Sequence, residues 1–370
     1  MLMKNHFVAL RKSTTYIFLF AIAAAISACG GSSGDLLFGS AGLATDTPSS
    51  TALPTETSIP DTYGHIVYVS DRDGQMNLYM TTPDGTQQTR LTTNSTEDID
   101  PQISPDGQRV AFVSKVDDNV DIYVLDLATL KITRVTDAPE KDSSPSWSSD
   151  GSEIAFESFR DGNLEIYIAH ADGTGTTRLT DDPAGDSNPV WSPVSNVIAF
   201  VSNRFGNADV LLLTPSGSVS TLTTNVAPDS DPAWSPDGNM IAFRTSTGEL
   251  SDLCLINRDG LDQHCLTTAP SEYGPPVWSP DGQSIAVRAR QSVGYGIDIF
   301  NVVDGTKREV SLAGVEPEGD LVWSPEGARL AFQAQADGDM ELYVAVVGTN
   351  EFTRLTSTVA YDGEPIWMKQ

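Results

Sequence analysis

All six tryptophans of this 370-residue chain occupy one phase of a single repeat: Trp147, Trp191, Trp234, Trp278, Trp323 and Trp367, spaced 43 to 45 residues apart. A side chain this large needs a matching space each time it recurs, so the chain copies one structural unit. Periods near 40–50 residues belong to propellers, solenoids or arrays. The repeat points to a binding platform and leaves open what is bound.

Alignment on the tryptophans gives four short segments per repeat. The first is P-x-W-S-P-D-G, as in Pro232–Gly238 and Pro276–Gly282. Its Pro and Gly suit a type I turn followed by a left-handed residue, a common hairpin bend. The second is I-A-F, beginning at Ile66, Val110, Ile154, Ile198, Ile241, Ile285 and Leu330. The third is an acidic-Ile-Tyr run such as Glu165-Ile-Tyr, and the fourth is R-L-T at Arg90, Arg178 and Arg354. Each run is rich in β-branched and aromatic residues and bounded by turn formers, and no window sustains a helical period. Four antiparallel strands per 44 residues make one propeller blade.

I-A-F occurs seven times, and so does W-S if Ile103 is counted as the copy without its tryptophan. The two series are offset at the ends: the chain opens on an I-A-F strand and stops on Pro365-Ile-Trp367. The last strand is therefore expected to complete the first blade, which removes open sheet edges. The expected fold is all-β: one seven-bladed β-propeller over residues 63–370, closed by the C-terminal strand. A linear stack would leave an apolar end strand uncovered. The tryptophans are expected at the seams between blades, near the innermost strands, each burial contributing roughly 1.5–3 kcal/mol.

The pattern P-x-W-S-P-D-G…I-A-F…D-I-Y…R-L-T resembles the repeat of TolB-type WD40-like propellers, over residues 63–370 with seven copies in register. The resemblance implies the propeller fold and a general partner-binding role. The same repeat occurs in propeller domains of some prolyl peptidases. Because the chain stops inside blade one, a complete peptidase of that kind is not expected.

Residues 1–28 read as a leader: Lys4, Arg11 and Lys12 precede an apolar run from Tyr16 to Ile26, too short for a stable membrane-spanning helix. Ile26-Ser27-Ala28-Cys29 resembles the bacterial lipobox, which implies cleavage before Cys29 and a lipid on its thiol. An ordinary signal peptide is the alternative. Residues 29–62 are rich in Gly and Ser, then in Thr, Pro and Ser, and suit a flexible tether. The net charge is −28, and it becomes more negative once the basic leader is removed. So acidic a surface argues against nucleic acid and favours cationic partners or ions. Cys254 and Cys265 flank Asp259-Gly260, a strong hairpin signal that makes the two thiols cross-strand neighbours. They are either bridged or two buried free thiols.

Each fourth-to-first loop carries an acid three residues before the Pro of P-x-W: Asp98, Asp142, Asp186, Asp229 and Asp362, with Glu318 at the matching place before Leu321. Blade six departs, with Tyr273 there and Glu272 beside it. The repeat thus predicts six carboxylates around the channel mouth. They form either a socket for a basic peptide, a protein, an envelope polymer or a weakly held divalent cation, or a set of local turn anchors. Repulsion does not forbid the ring, since two charges ~10 Å apart in water cost about 0.4 kcal/mol. Arg72, Arg160 and Arg204, in second-to-third loops on the same face, either pair with these acids or serve as rim contacts. No cofactor motif, metal-ligand spacing or nucleophile elbow is present, and His65, His170 and His264 fall at different repeat phases. The expectation is a lipid-anchored extracytoplasmic binding scaffold. The rival is a carbohydrate- or peptide-processing enzyme using two carboxylates of the mouth.

Overall fold

The computed structural model describes residues 64–93, 97–267 and 269–368. The chain divides into two units, Met1–Ser58 and Ile59–Gln370, and every described residue belongs to the second. The expected leader over residues 1–28, Cys29 and the expected tether over residues 29–62 lie outside the described residues.

Seven antiparallel four-stranded sheets make up the described residues, with no helix among them. Blade one is ordered Asp362–Trp367, Ile66–Ser70, Asn77–Thr81, Gln88–Arg90, so the last strand does complete the first blade. Blades two to seven follow in chain order, and in each the tryptophan-phase strand is the first of the four. These first strands neighbour one another around the ring and form its innermost layer.

Three local devices set this architecture. Each tryptophan-phase residue pairs with the head of its own I-A-F strand, as in Trp147↔Ile154 and Trp367↔Ile66, with Ile103↔Val110 in blade two. The turn between them is fixed by its own side chains. In Ser104–Gly107 the Gly107 N–H donates to the Ser104 carbonyl (2.9 Å) at a φ of 71°, which glycine adopts without Cβ strain. Asp106 accepts from the Ser104 hydroxyl and the Gln108 N–H. The same bonds recur at Asp150, Asp237 and Asp281.

The third device is the indole. The Nε1–H groups of Trp147, Trp234, Trp278 and Trp323 donate to the carbonyls of Gln102, Val190, Ala233 and Val277 at 2.9–3.0 Å. Each acceptor lies on the innermost strand of the preceding blade. The tryptophan therefore fills the seam and also latches it. In Trp191 the buried Nε1 lacks such a partner.

Seven apolar clusters hold the seven seams. At the closing seam, Ala331, Leu342, Val344 and Leu355 of blade seven pack on Ile66, Tyr68, Tyr79 and Trp367 of blade one. A disulfide joins Cys254 and Cys265, direct cross-strand partners on the two outer strands of blade five.

Candidate functional site

Asp98, Asp142, Asp186, Asp229 and Asp362 all stand at one register position, opposite Ser114, Ser158, Ser202, Thr245 and Ser70 of the adjoining strand. All five are fully buried. The expected open ring at the mouth is therefore corrected: these carboxylates lie inside the blades, because they begin innermost strands rather than ending loops. Their partners are side chains of the neighbouring strand and loop. The Ser114 hydroxyl donates to Asp98 (2.6 Å), Thr245 and Asn225 donate to Asp229, and Thr358 donates to Asp362. Burial pushes the Asp186 and Asp229 carboxyls above the usual range.

Arg72, Arg160 and Arg204 pair with these acids, and the motif S-x-R-x-G shows how. In each loop the arginine Nε donates 2.9 Å to the serine two residues earlier, Ser70, Ser158 or Ser202. That bond aims the guanidinium inward. Arg72 reaches Asp362 at 2.8 Å, Arg160 reaches both oxygens of Asp142 at 2.9 Å, and Arg204 reaches Asp186 at 2.7 Å. Aromatic rings floor the charge: Arg72 lies 4.7 Å from the Tyr79 centroid, Arg160 4.5 Å from that of Tyr167 and Arg204 5.7 Å from that of Phe200. Each clip ties a second-to-third loop to the start of its blade's innermost strand.

Glu318 does not occupy the aspartate position. Opposite Ala334, where the repeat places its acid, stands Pro317, while Glu318 faces Gln333. The innermost strands carry a β-bulge at this level, and the bulged residue takes a left-handed conformation: Asp100, Ser144, Asn188, Asp231 and Glu364, with φ between 50° and 57°. In blade seven that residue is Gly319, one place earlier, and the extra residue shifts Glu318 by one register step. Glu318 is half-buried and Asp320 is exposed. In blade six, Tyr273 bridges to Ala289 while Glu272 pairs with Arg290 and Tyr295.

The bulges cross-link the blades. Glu364 accepts the Asp100 N–H at 2.6 Å, and Glu157 accepts the Asn188 N–H at 2.9 Å. Arg244 pairs with Asp231 and donates to the Tyr273 carbonyl, and Arg288 donates to the Pro317 carbonyl. The two cations are thus engaged between blades. Glu318, Asp320 and Glu364 gather around Tyr361, whose hydroxyl donates to Gln333; burial, then the charge of Glu364, pushes the Tyr361 phenol up. Asp320, Glu364 and Tyr361 were not singled out by the repeat, which marks the aspartate phase rather than the bulge. Among the described residues, no three His, Cys, Asp or Glu side chains are arranged to hold a metal ion.

Residues 63–246 and 245–370 match the TolB beta propeller domain. The chain belongs to that family. No curated protein matches it. Among solved structures, TolB from Acinetobacter baumannii is 24% identical with a TM-score of 0.54, over 67% of this chain and 63% of the Acinetobacter chain. Less than two thirds of that protein's length is therefore spanned. An oligogalacturonate lyase from Vibrio parahaemolyticus aligns with a TM-score of 0.64 at 15% identity, over 76% of this chain and 86% of the lyase. A prolyl endopeptidase aligns with a TM-score of 0.62 at 16% identity, over 82% of this chain and 49% of the peptidase. At these identities the solved structures share the TolB-type propeller architecture and nothing finer.

Proposed function

We propose that this TolB-type propeller is a lipid-anchored extracytoplasmic scaffold, held to a bacterial membrane through Cys29, that binds a protein, a basic peptide or an envelope polymer at its channel mouth. The observation that carries the reading is the gathering of acids on the innermost strands of blades seven and one. Glu318, Asp320 and Glu364 gather at one arc around Tyr361 with Asp320 exposed to solvent, while Arg244 and Arg288 donate to carbonyls of the following blades. In a chain of net charge −28, such an arc attracts a cationic partner over several ångströms and fixes its orientation. The five buried aspartates and their arginines frame this mouth without touching the partner.

The test is capture from the native envelope by the anchored protein, set beside a Glu318→Gln, Asp320→Asn, Glu364→Gln variant. A protein or polymer retained by the first and lost by the second supports the reading. Equal capture by both removes the acidic arc from it. Turnover of glycans or peptides by the purified protein, abolished in the same variant, would replace it with the processing-enzyme reading.

A further inference from the structure

The fourth-strand arginine of the repeat is missing from blade four, as it is from blade five, where Cys265 stands in its place and the half-buried acid, Asp252, accepts from the Thr267 hydroxyl at 2.7 Å. In blade three, Arg178 on the fourth strand lies among Glu165 (2.9 Å), Asp181 (2.8 Å) and Asp161 (3.3 Å), with its Nε donating to the Thr180 carbonyl (2.6 Å). Blades two and seven repeat the central pair as Arg134–Asp121 (2.7 Å) and Arg354–Glu341 (2.8 Å), and blade six has Lys307–Asp298 (3.2 Å) at a different register position, Asp298 standing where Tyr167 does. Blade four keeps the register, Tyr167↔Arg178 becoming Leu211↔Thr221. Thr221 therefore stands in the arginine's place. Phe205 and Thr224 stand where Asp161 and Asp181 do, and Asp209 retains the acid of Glu165.

The acid has lost its cation without losing its burial. Asp209 is 1% exposed, and its Oδ1 has no hydrogen-bond partner. Burial, with the negative charge of Asp229 added, pushes its carboxyl up. Beside it a cavity of about 560 Å³ opens, lined by Phe205, Asn207, Asp209, Thr221, Asn225 and Val226. Phe205 is 60% and Val226 97% exposed, so apolar surface flanks the way in. An unpaired buried carboxylate is costly, and the remedy used at this position in blades two, three and seven is a guanidinium on an apolar stem.

We propose that this cavity receives an arginine side chain from a peptide ligand. The guanidinium takes the place that Arg178 occupies in blade three, bonded to Asp209, with its methylene stem along Phe205. The Thr223 carbonyl, equivalent to that of Thr180, is the second acceptor. The site lies on the two outer strands of blade four, apart from the channel mouth, and does not depend on the function proposed there.

The test titrates N-acetyl-Gly-Arg-Gly-amide into the full chain by calorimetry, beside the citrulline peptide of the same shape and no charge. The arginine peptide is expected to bind and the citrulline peptide to bind at least ~30-fold more weakly, the lower bound for losing one partner of a buried charge pair. Thr221→Arg supplies the missing side chain from within. It should abolish binding and raise the melting temperature, and Asp209→Asn should abolish binding independently. The proposal is overturned if the wild-type chain binds neither peptide, if it binds both alike, or if Thr221→Arg leaves binding intact.

Discussion

Replacing Arg160 by Met separates the two roles open to the loop arginines. Met keeps the stem over Tyr167 but removes the charge, leaving Asp142 with neither of its 2.9 Å bonds at a fully buried position. Breaking one side of a buried ion pair costs roughly 3–5 kcal/mol. The Arg160 side chain is 21% exposed, so water partly screens the change and the lower end, ~3 kcal/mol, is the figure to expect. In a propeller of about 300 residues that lowers the melting temperature by about 5 °C. Asp142→Asn combined with Arg160→Met removes the stranded charge, so the double variant should recover at least half of the loss. The assay is a double-mutant cycle by urea unfolding, with the Tm measured alongside. An unchanged Arg160→Met stability, or a double variant that merely sums two independent losses, would refute the clip and return Arg160 to the rim.

Three further outcomes follow from the same geometry. Trp147→Phe forfeits the indole bond to Gln102, whereas Trp191→Phe has no such bond to lose; the first should be the more destabilising by about 1 kcal/mol in equilibrium unfolding. Truncation after Gly363 removes Trp367 and the pairing with Ile66 and Val67, and calorimetry should show a loss of at least ~3–5 kcal/mol; an unchanged melting curve would sink ring closure. The Ser152 N–H and hydroxyl, with the Ser148 hydroxyl, hold the Asp150 carboxyl down to about 2. An acid with a depressed native pKa supports the fold above about pH 4 and withdraws that support as pH falls towards 2. Buried Asp186 and Asp229, with raised values, act in the opposite sense, and protonating them relieves a cost. Unfolding free energy should therefore change little from neutrality to about pH 5 and fall below pH 4, with Asp150→Asn flattening that acid limb.

The blades were legible in the sequence because each is specified locally. The P-x-W-S-P-D-G turn carries its own serine and aspartate anchors, and the tryptophan has one seam to fill. Even the closing strand followed from counting segments. What the sequence hid was depth and register. An aspartate beside a turn signal looks like a loop residue, yet Asp142 and its equivalents begin buried strands, which only the pairing with Ser158 reveals. Glu318 keeps the spacing of the aspartates, but the extra residue at Gly319 moves it one step along the strand, and residue counts do not see a bulge. The place of Asp209 has a signal in the sequence: Thr221 breaks the R-L-T run, and Phe205 breaks the R-D-G loop found in blades one and three. A missing member of a repeated charge pair is visible in sequence once the pair itself is known.

The central claim is that repeat-phase charges build the frame while the bulge-phase acids of blades seven and one make the contact. It is tested most directly by measuring the captured partner's affinity for two variants. Glu318→Gln, Asp320→Asn, Glu364→Gln should weaken binding at least ~10-fold, as loss of several complementary charges does. Asp142→Asn, Arg160→Met should leave affinity within about twofold of wild type, since frame residues act on stability and not on contact. The reverse pattern, with the clip variant losing the partner and the mouth variant keeping it, would contradict the account.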